Sequence, residues 1–178
     1  SQPAENKTGT GEKQPTLLVV DDDTEVAHYL RTLLSAHYKV ICRFNADDAL
    51  KALHEESPDL VLSDVVMPGK DGYQLCREIK EDLQLCHLPV ILVTAKATVE
   101  NQVEGLDTGA DAYVTKPFDP AYLLALVKSL LKNREKARNM LGKATQTDKI
   151  EENILSPQDN VFMTELYHLM ESELSNPE

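Results

Sequence analysis

Five short apolar runs punctuate the chain: TLLVV (16–20), KVICR (39–43), DLVLS (59–63), PVILVT (89–94) and AYVT (112–115). Runs this short and this continuously apolar suit strands covered on both faces, as in a parallel sheet. Between them the apolar residues switch to helical spacing: Val26, Leu30, Leu33 and Leu34; Ala46, Ala49, Leu50 and Leu53; Leu75, Ile79 and Leu83; Val99, Val103 and Leu106. A last stripe, Leu123, Leu126, Val127, Leu130 and Leu131, follows the final run. Each stripe predicts a helix with one face on the core. Strand and helix alternating five times specify an α/β fold, a doubly wound five-stranded parallel sheet.

The flanks lack this pattern. Residues 1–15, SQPAENKTGTGEKQP, have the composition of a flexible linker, which places the domain at 16–132. Residues 133–157 are charged and poorly periodic, and read as a fraying helix end followed by a second linker. Within 158–178, after the start signal of Ser156 and Pro157, the residues Phe162, Leu166, Leu169 and Met170 share one helical face. A lone amphipathic helix of this length needs a partner surface, on the domain or beyond residue 178.

Composition narrows the function classes. The 178 residues hold 30 acidic against 18 basic side chains, a net charge of -12, which argues against a nucleic-acid surface. Cys42, Cys76 and Cys86 are an odd set without C-x-x-C spacing, so neither a disulfide framework nor a zinc site is predicted. No apolar run approaches the 18 or so residues of a membrane span, so no membrane contact is expected from this piece.

The stretch LVLSDVVMPGKDG raises the chemical question, because an apolar strand that ends on a carboxylate, Asp64, needs something to compensate the charge. In an open parallel sheet, ligands bind at the carboxyl ends of the strands. There the first strand delivers Asp21, Asp22 and Asp23, the third Asp64, the fourth Thr94, and the fifth Thr115 and Lys116. Converging carboxylates raise one another's pKa unless a cation holds them ionised. Oxygen-only donors suit Mg²⁺ better than zinc, and the spacing is not that of a calcium-binding loop. With such an ion, Asp64 is a candidate nucleophile toward phosphorus, Lys116 a neutraliser of phosphoryl oxygens, and the Thr94 hydroxyl a hydrogen-bond donor to one of them.

LLVVDDD, LVLSDVVMPGKDG, ILVTAKA and DAYVTKPF, in this order and at this spacing, resemble the receiver domain of two-component response regulators, over residues 16 to about 132. The resemblance implies a flavodoxin-like fold of strand order 2-1-3-4-5. It also implies Mg²⁺ held by Asp21, Asp22, Asp64 and the backbone carbonyl of Val66, with Asp22 the more direct ligand of the acidic pair. Asp64 is then the phospho-acceptor and Lys116, followed by a cis bond to Pro117, its ammonium partner. Thr94 and Tyr113 form a switch in which the hydroxyl moves toward the phosphoryl group and the ring turns inward.

Further expectations follow from the same resemblance. The phosphodonor is a histidine kinase, carried in one view on the same polypeptide, and homodimers form through the fourth helix, fifth strand and fifth helix. The polar lead and Ser1 suggest an excerpt, and the tail resembles the lead-in to an AraC-type output domain. On that view DNA is bound only through a domain absent from this chain. The location is cytoplasmic, with a parent anchored in the inner membrane. The piece assists its own phosphotransfer without being a conventional enzyme.

Asp23 or Thr24 supplies a helix cap rather than a main ligand, and Asp71 with Gly72 forms the turn into the next helix. None of the five histidines is expected to carry phosphate or a ligand. A haloacid-dehalogenase-type phosphatase requires Asp-x-Asp-x-Thr or Val, whereas Glu25 follows Asp21 and Asp23; a nucleotide-binding first turn would need glycine. The alternative that keeps the fold is a phosphorylation-independent interaction module.

Overall fold

The computed structural model describes residues 11–96 and 98–151, with 144–151 as helix backbone only. Strands β1 (Thr16–Val20), β2 (Lys39–Arg43), β3 (Leu60–Asp64), β4 (Val90–Thr94) and β5 (Ala112–Thr115) alternate with helices α1 (Thr24–Leu34), α2 (Ala46–Glu56), α3 (Gly72–Glu81), α4 (Val99–Asp107) and α5 (Pro120–Glu151). The strands form one parallel sheet in the order β2-β1-β3-β4-β5. Fold class and strand order are those the sequence predicts.

Successive strand residues point to opposite faces, and both faces are covered. Leu18, Val20, Val61 and Leu92 pack with Ala49 and Leu53 of α2 and Leu75 and Ile79 of α3. Leu17, Val19, Leu62, Ile91 and Val114 pack with Leu30 and Leu34 of α1 and Leu123 and Val127 of α5. Burial on both sides is why the inner strands β1, β3 and β4 read as apolar runs rather than alternating. Asp23 caps α1, accepting from the amides of Glu25 and Val26. Asp71 caps α3 in a capping box with Gln74. The caps fall at the strand-end loops and fix where the acidic groups emerge.

Three sequence expectations are corrected. Leu83 does not extend the α3 stripe: the helix ends at Glu81, Leu83 is 93% exposed, and Leu85 and Leu88 of the following connection fill the core instead. On α4, Val99, Val103 and Leu106 are 72%, 51% and 57% exposed, and the only buried residue of the helix is Gly105. The side of α4 that meets the sheet is kept small because the Tyr113 ring occupies that space, and a Cβ on Gly105 would lie 2.5 Å from it. The third concerns α5, which does not fray near residue 132 but continues to Glu151, so the segment assigned to a linker at 133–157 is helical through 151. Lys, Arg, Glu, Ala and Met are strong helix formers and sustain a helix without an apolar face.

The chain divides into two units, 1–134 and 135–178. The first holds the sheet and all the chemistry below. In the second, the described residues continue α5 and expose Met140 and Leu141. The amphipathic helix predicted at 158–178, and most of the lead at 1–15, lie outside the described residues. Among the described residues no helix is long and apolar enough to cross a membrane.

Candidate functional site

The carboxyl ends of β1, β3, β4 and β5 build the site. Asp21 directly follows β1 and is 2% exposed. Its amide donates to the carbonyl of Arg43, its Oδ1 accepts from the Asp23 amide at 2.9 Å, and its Oδ2 faces Lys116 Nζ at 3.1 Å. Asp22 is exposed beside it. Asp64 ends β3, where its Oδ1 accepts from the Val65 amide at 2.8 Å and lies 3.7 Å from Lys116 Nζ. Each of Asp21, Asp22 and Asp64 offers an oxygen within 4.8 Å of the others. One ammonium, brought by the residue after β5, thus faces two carboxylates.

Gly72 makes this placement of Asp64 feasible. A Cβ there would collide with the Asp64 carbonyl oxygen, while the Gly72 amide donates to the Val65 carbonyl at 2.9 Å. Only a residue without a side chain lets α3 begin so close to the end of β3.

Burial is the first cause that pushes the Asp64 carboxyl above its ordinary range, and the neighbouring Asp21 charge is the second; Lys116 and the Val65 and Val66 amides pull the other way. The raising causes prevail in the bare protein. A cation held by the three oxygens would favour the ionised carboxylates. The donors are all carboxylate oxygens, the chemistry of a hard divalent ion.

Thr94 is the fully buried last residue of β4, one position beyond the register partner of Asp64. Its Oγ1 accepts from the Lys96 amide at 3.2 Å, which leaves the hydroxyl proton free to donate. Its carbonyl accepts from the Lys116 amide at 2.8 Å, and the Lys116–Pro117 bond is cis. Tyr113 leaves β5 toward α4, where its hydroxyl donates to the Lys96 carbonyl at 2.7 Å. Both predicted switch residues therefore hold the same peptide segment, through its amide and its carbonyl.

The structure brings together Asp21, Asp22, Asp64 and Lys116, and links Thr94 to Tyr113 through Lys96. Val66 lies in the loop after Asp64 and is 56% exposed. Sequence reasoning passed over Tyr73, Gly105 and the Lys96 backbone. Tyr73 carries a readable signal only in part, since an aromatic in the first turn of an apolar helix reads as core.

Comparison with known proteins agrees with this geometry. Residues 17–128 match the family model described as the response regulator receiver domain. Over 167 residues the chain is 31% identical to histidine kinase P4 of Formosa agariphila, a match that covers 94% of this chain and 12% of that protein. The crystal structure of the signal receiver domain of a signal transduction histidine kinase from Syntrophus aciditrophicus is 37% identical, with a TM-score of 0.63, and covers 67% of this chain and 91% of that one. A CheY-like response regulator receiver domain protein from Methanospirillum hungatei JF-1 is 32% identical, with a TM-score of 0.66, covering 70% and 99%. With the acidic strand ends, the strand order and these likenesses in place, the chain belongs to the response regulator receiver domain family, the phosphorylation-dependent switches of two-component signalling.

Proposed function

We propose that Asp64 is the phospho-acceptor of this switch and that a histidine kinase is the donor. The observation that carries the reading is the convergence of Asp21, Asp22 and Asp64 within 4.8 Å, with Lys116 Nζ on two of them. An Asp64 oxygen attacks the phosphorus of a phosphohistidine. The new O–P bond forms as the P–N bond breaks, and the bonding pair stays with the imidazole nitrogen, which takes up a proton. Lys116 meets the charge arriving on the phosphoryl oxygens, and the Thr94 hydroxyl proton, which meets no acceptor among the described residues, is available to one of them.

Asp21, Asp22 and Asp64 would hold Mg²⁺, with the Val66 carbonyl as a further ligand. When bound, the ion offsets the mutual repulsion of the carboxylates and the charge of the incoming group. The acyl phosphate carries about two negative charges where the carboxylate carried one. As Thr94 Oγ1 turns to the phosphoryl group it releases the Lys96 amide, and the Lys96 carbonyl carries that change to Tyr113. The partner-facing consequence is a changed surface on α4, β5 and α5, where Val99, Val103 and Leu106 stand exposed and a second copy would dock.

The chain spans 12% of the length of the histidine kinase it matches. That match supports a donor on the same polypeptide; transcriptional output and DNA binding, on our reading, fall to a domain outside this chain. Incubation with acetyl phosphate and Mg²⁺, read by intact-mass spectrometry, is expected to add one phosphoryl group to the wild type and none to Asp64→Asn. Equal modification of the two would refute the acceptor assignment and favour the phosphorylation-independent module.

A further inference from the structure

We propose that Tyr73 is a positioning residue of the switch, a second tyrosine that holds Tyr113 inward by tying the first turn of α4 to α3. This rests on the acceptor reading above. Tyr73 lies in the first turn of α3 and is 4% exposed, yet its hydroxyl is not idle. It donates to the Asn101 carbonyl in the first turn of α4 at 3.0 Å and stands 3.4 Å from the Tyr113 hydroxyl. Tyr113 spends its own proton on the Lys96 carbonyl at 2.7 Å. A leucine or phenylalanine would fill the same core volume, so packing alone does not call for the oxygen.

The surroundings explain what the oxygen does. Neither Val99, Val103 nor Leu106 anchors α4 in the core, so the helix has little apolar burial to fix its distance from β5. Gly105 leaves room for the Tyr113 ring, and that room has the right depth only while α4 stays in register with it. The Tyr73–Asn101 bond supplies that register from α3, an element that itself begins against Asp64 through Gly72. Burial, then the Tyr113 contact, pushes the Tyr73 phenol far above its ordinary range, so it stays a neutral donor at working pH.

Removing the hydroxyl lowers the population with Tyr113 inward, and the affinity of any ligand that requires that population falls with it. Beryllofluoride with Mg²⁺ serves as the phosphoryl mimic. In Tyr73→Phe its affinity is expected to fall about fivefold, the equivalent of about one net hydrogen bond. Full-length chain labelled with 3-fluorotyrosine reports the ring directly by ¹⁹F NMR, the Tyr113 resonance being assigned from Tyr113→Phe.

The expected result has three parts: weaker binding in Tyr73→Phe, a shifted Tyr113 resonance before any ligand is added, and a Tyr73→Phe/Tyr113→Phe double variant no weaker than Tyr113→Phe alone. A residue that merely stabilised the fold would give additive losses instead. Tyr73→Phe binding within about twofold of wild type with the resonance unmoved, or additive losses, would overturn the role of Tyr73 while wild-type binding keeps the acceptor reading intact. Wild type that fails to bind, or binds no better than Asp64→Asn, would overturn the acceptor assignment and this linkage together.

Discussion

Asp64 is held where a carboxylate is least welcome, at the end of a buried strand and against Asp21, and that has a measurable consequence for stability. Its folded-state pKa is raised, first by burial and then by the Asp21 charge. The native state therefore binds the Asp64 proton more tightly than the unfolded chain does. Between the two pKa values stability falls as pH rises, and above the folded value the penalty is present in full. Asp64→Asn removes the charge and keeps an oxygen for the Val65 amide. Without divalent metal it is expected to be the more stable protein at neutral pH, by about 1 kcal/mol or about 3 °C in melting temperature. The gap should close as pH is lowered toward about 4. Melting curves in a chelator across that range decide it: a variant less stable than wild type at neutral pH would show that Lys116 and the amides outweigh the repulsion. The place of Asp64 among the clustered carboxylates was legible because a strand-ending aspartate has few structural reasons to exist. The Tyr73 oxygen was not, because a helical aromatic in an apolar stripe looks the same with or without its hydroxyl.

At the scale of elements, legibility followed burial. β1, β2 and β5 lie at the residues predicted, and β3 and β4 within one; in β1, β3 and β4 burial on both faces leaves a near-continuous apolar run, while the edge strands β2 and β5 keep a shorter one. The α4 stripe misled because periodicity reports an apolar face without saying what it meets, and the sheet side of that helix is filled by a ring from β5. The extent of α5 was hidden for the opposite reason, since residues 135–143 bury little and the sequence beyond 132 keeps no apolar period. One contact marks the passage. Arg134 Nη1 donates to the Asp59 carbonyl at 2.7 Å and lies 3.1 Å from Asp59 Oδ1, while Asp59 Oδ2 accepts from the Thr16 amide at the start of β1. The guanidinium thus fastens α5 to the edge of the sheet opposite Asp64. Arg134→Ala removes charge-assisted bonds from a side chain only 10% exposed and is expected to cost about 2 kcal/mol. Urea unfolding should show a lower midpoint at unchanged slope, and hydrogen exchange should quicken in α5 near residue 134 before it does in β1. An unchanged midpoint would mean that water replaces the guanidinium without loss.

For the molecule as a whole, the net charge of -12 and the acidic cluster pull the response to cations in two separable directions. Any salt screens the general self-repulsion, within a Debye length of about 10 Å at 0.1 M, and does so alike in every variant. Mg²⁺ held by Asp21, Asp22 and Asp64 would instead stabilise the native state by mass action, since the unfolded chain does not bring the three oxygens together. At a free concentration about 100 times the dissociation constant that contribution is about 2.7 kcal/mol. Thermal melts at constant ionic strength, with Mg²⁺ exchanged for sodium, isolate this part. Wild type should gain with a saturating dependence on Mg²⁺, whereas Asp22→Asn, which leaves the Asp21–Lys116 pair untouched, should lose most of the gain. An equal gain in both proteins would assign the effect to the acidic surface at large. The exposed position of Asp22 makes it the informative variant, because its substitution disturbs no core contact and changes the charge gathered at the strand ends.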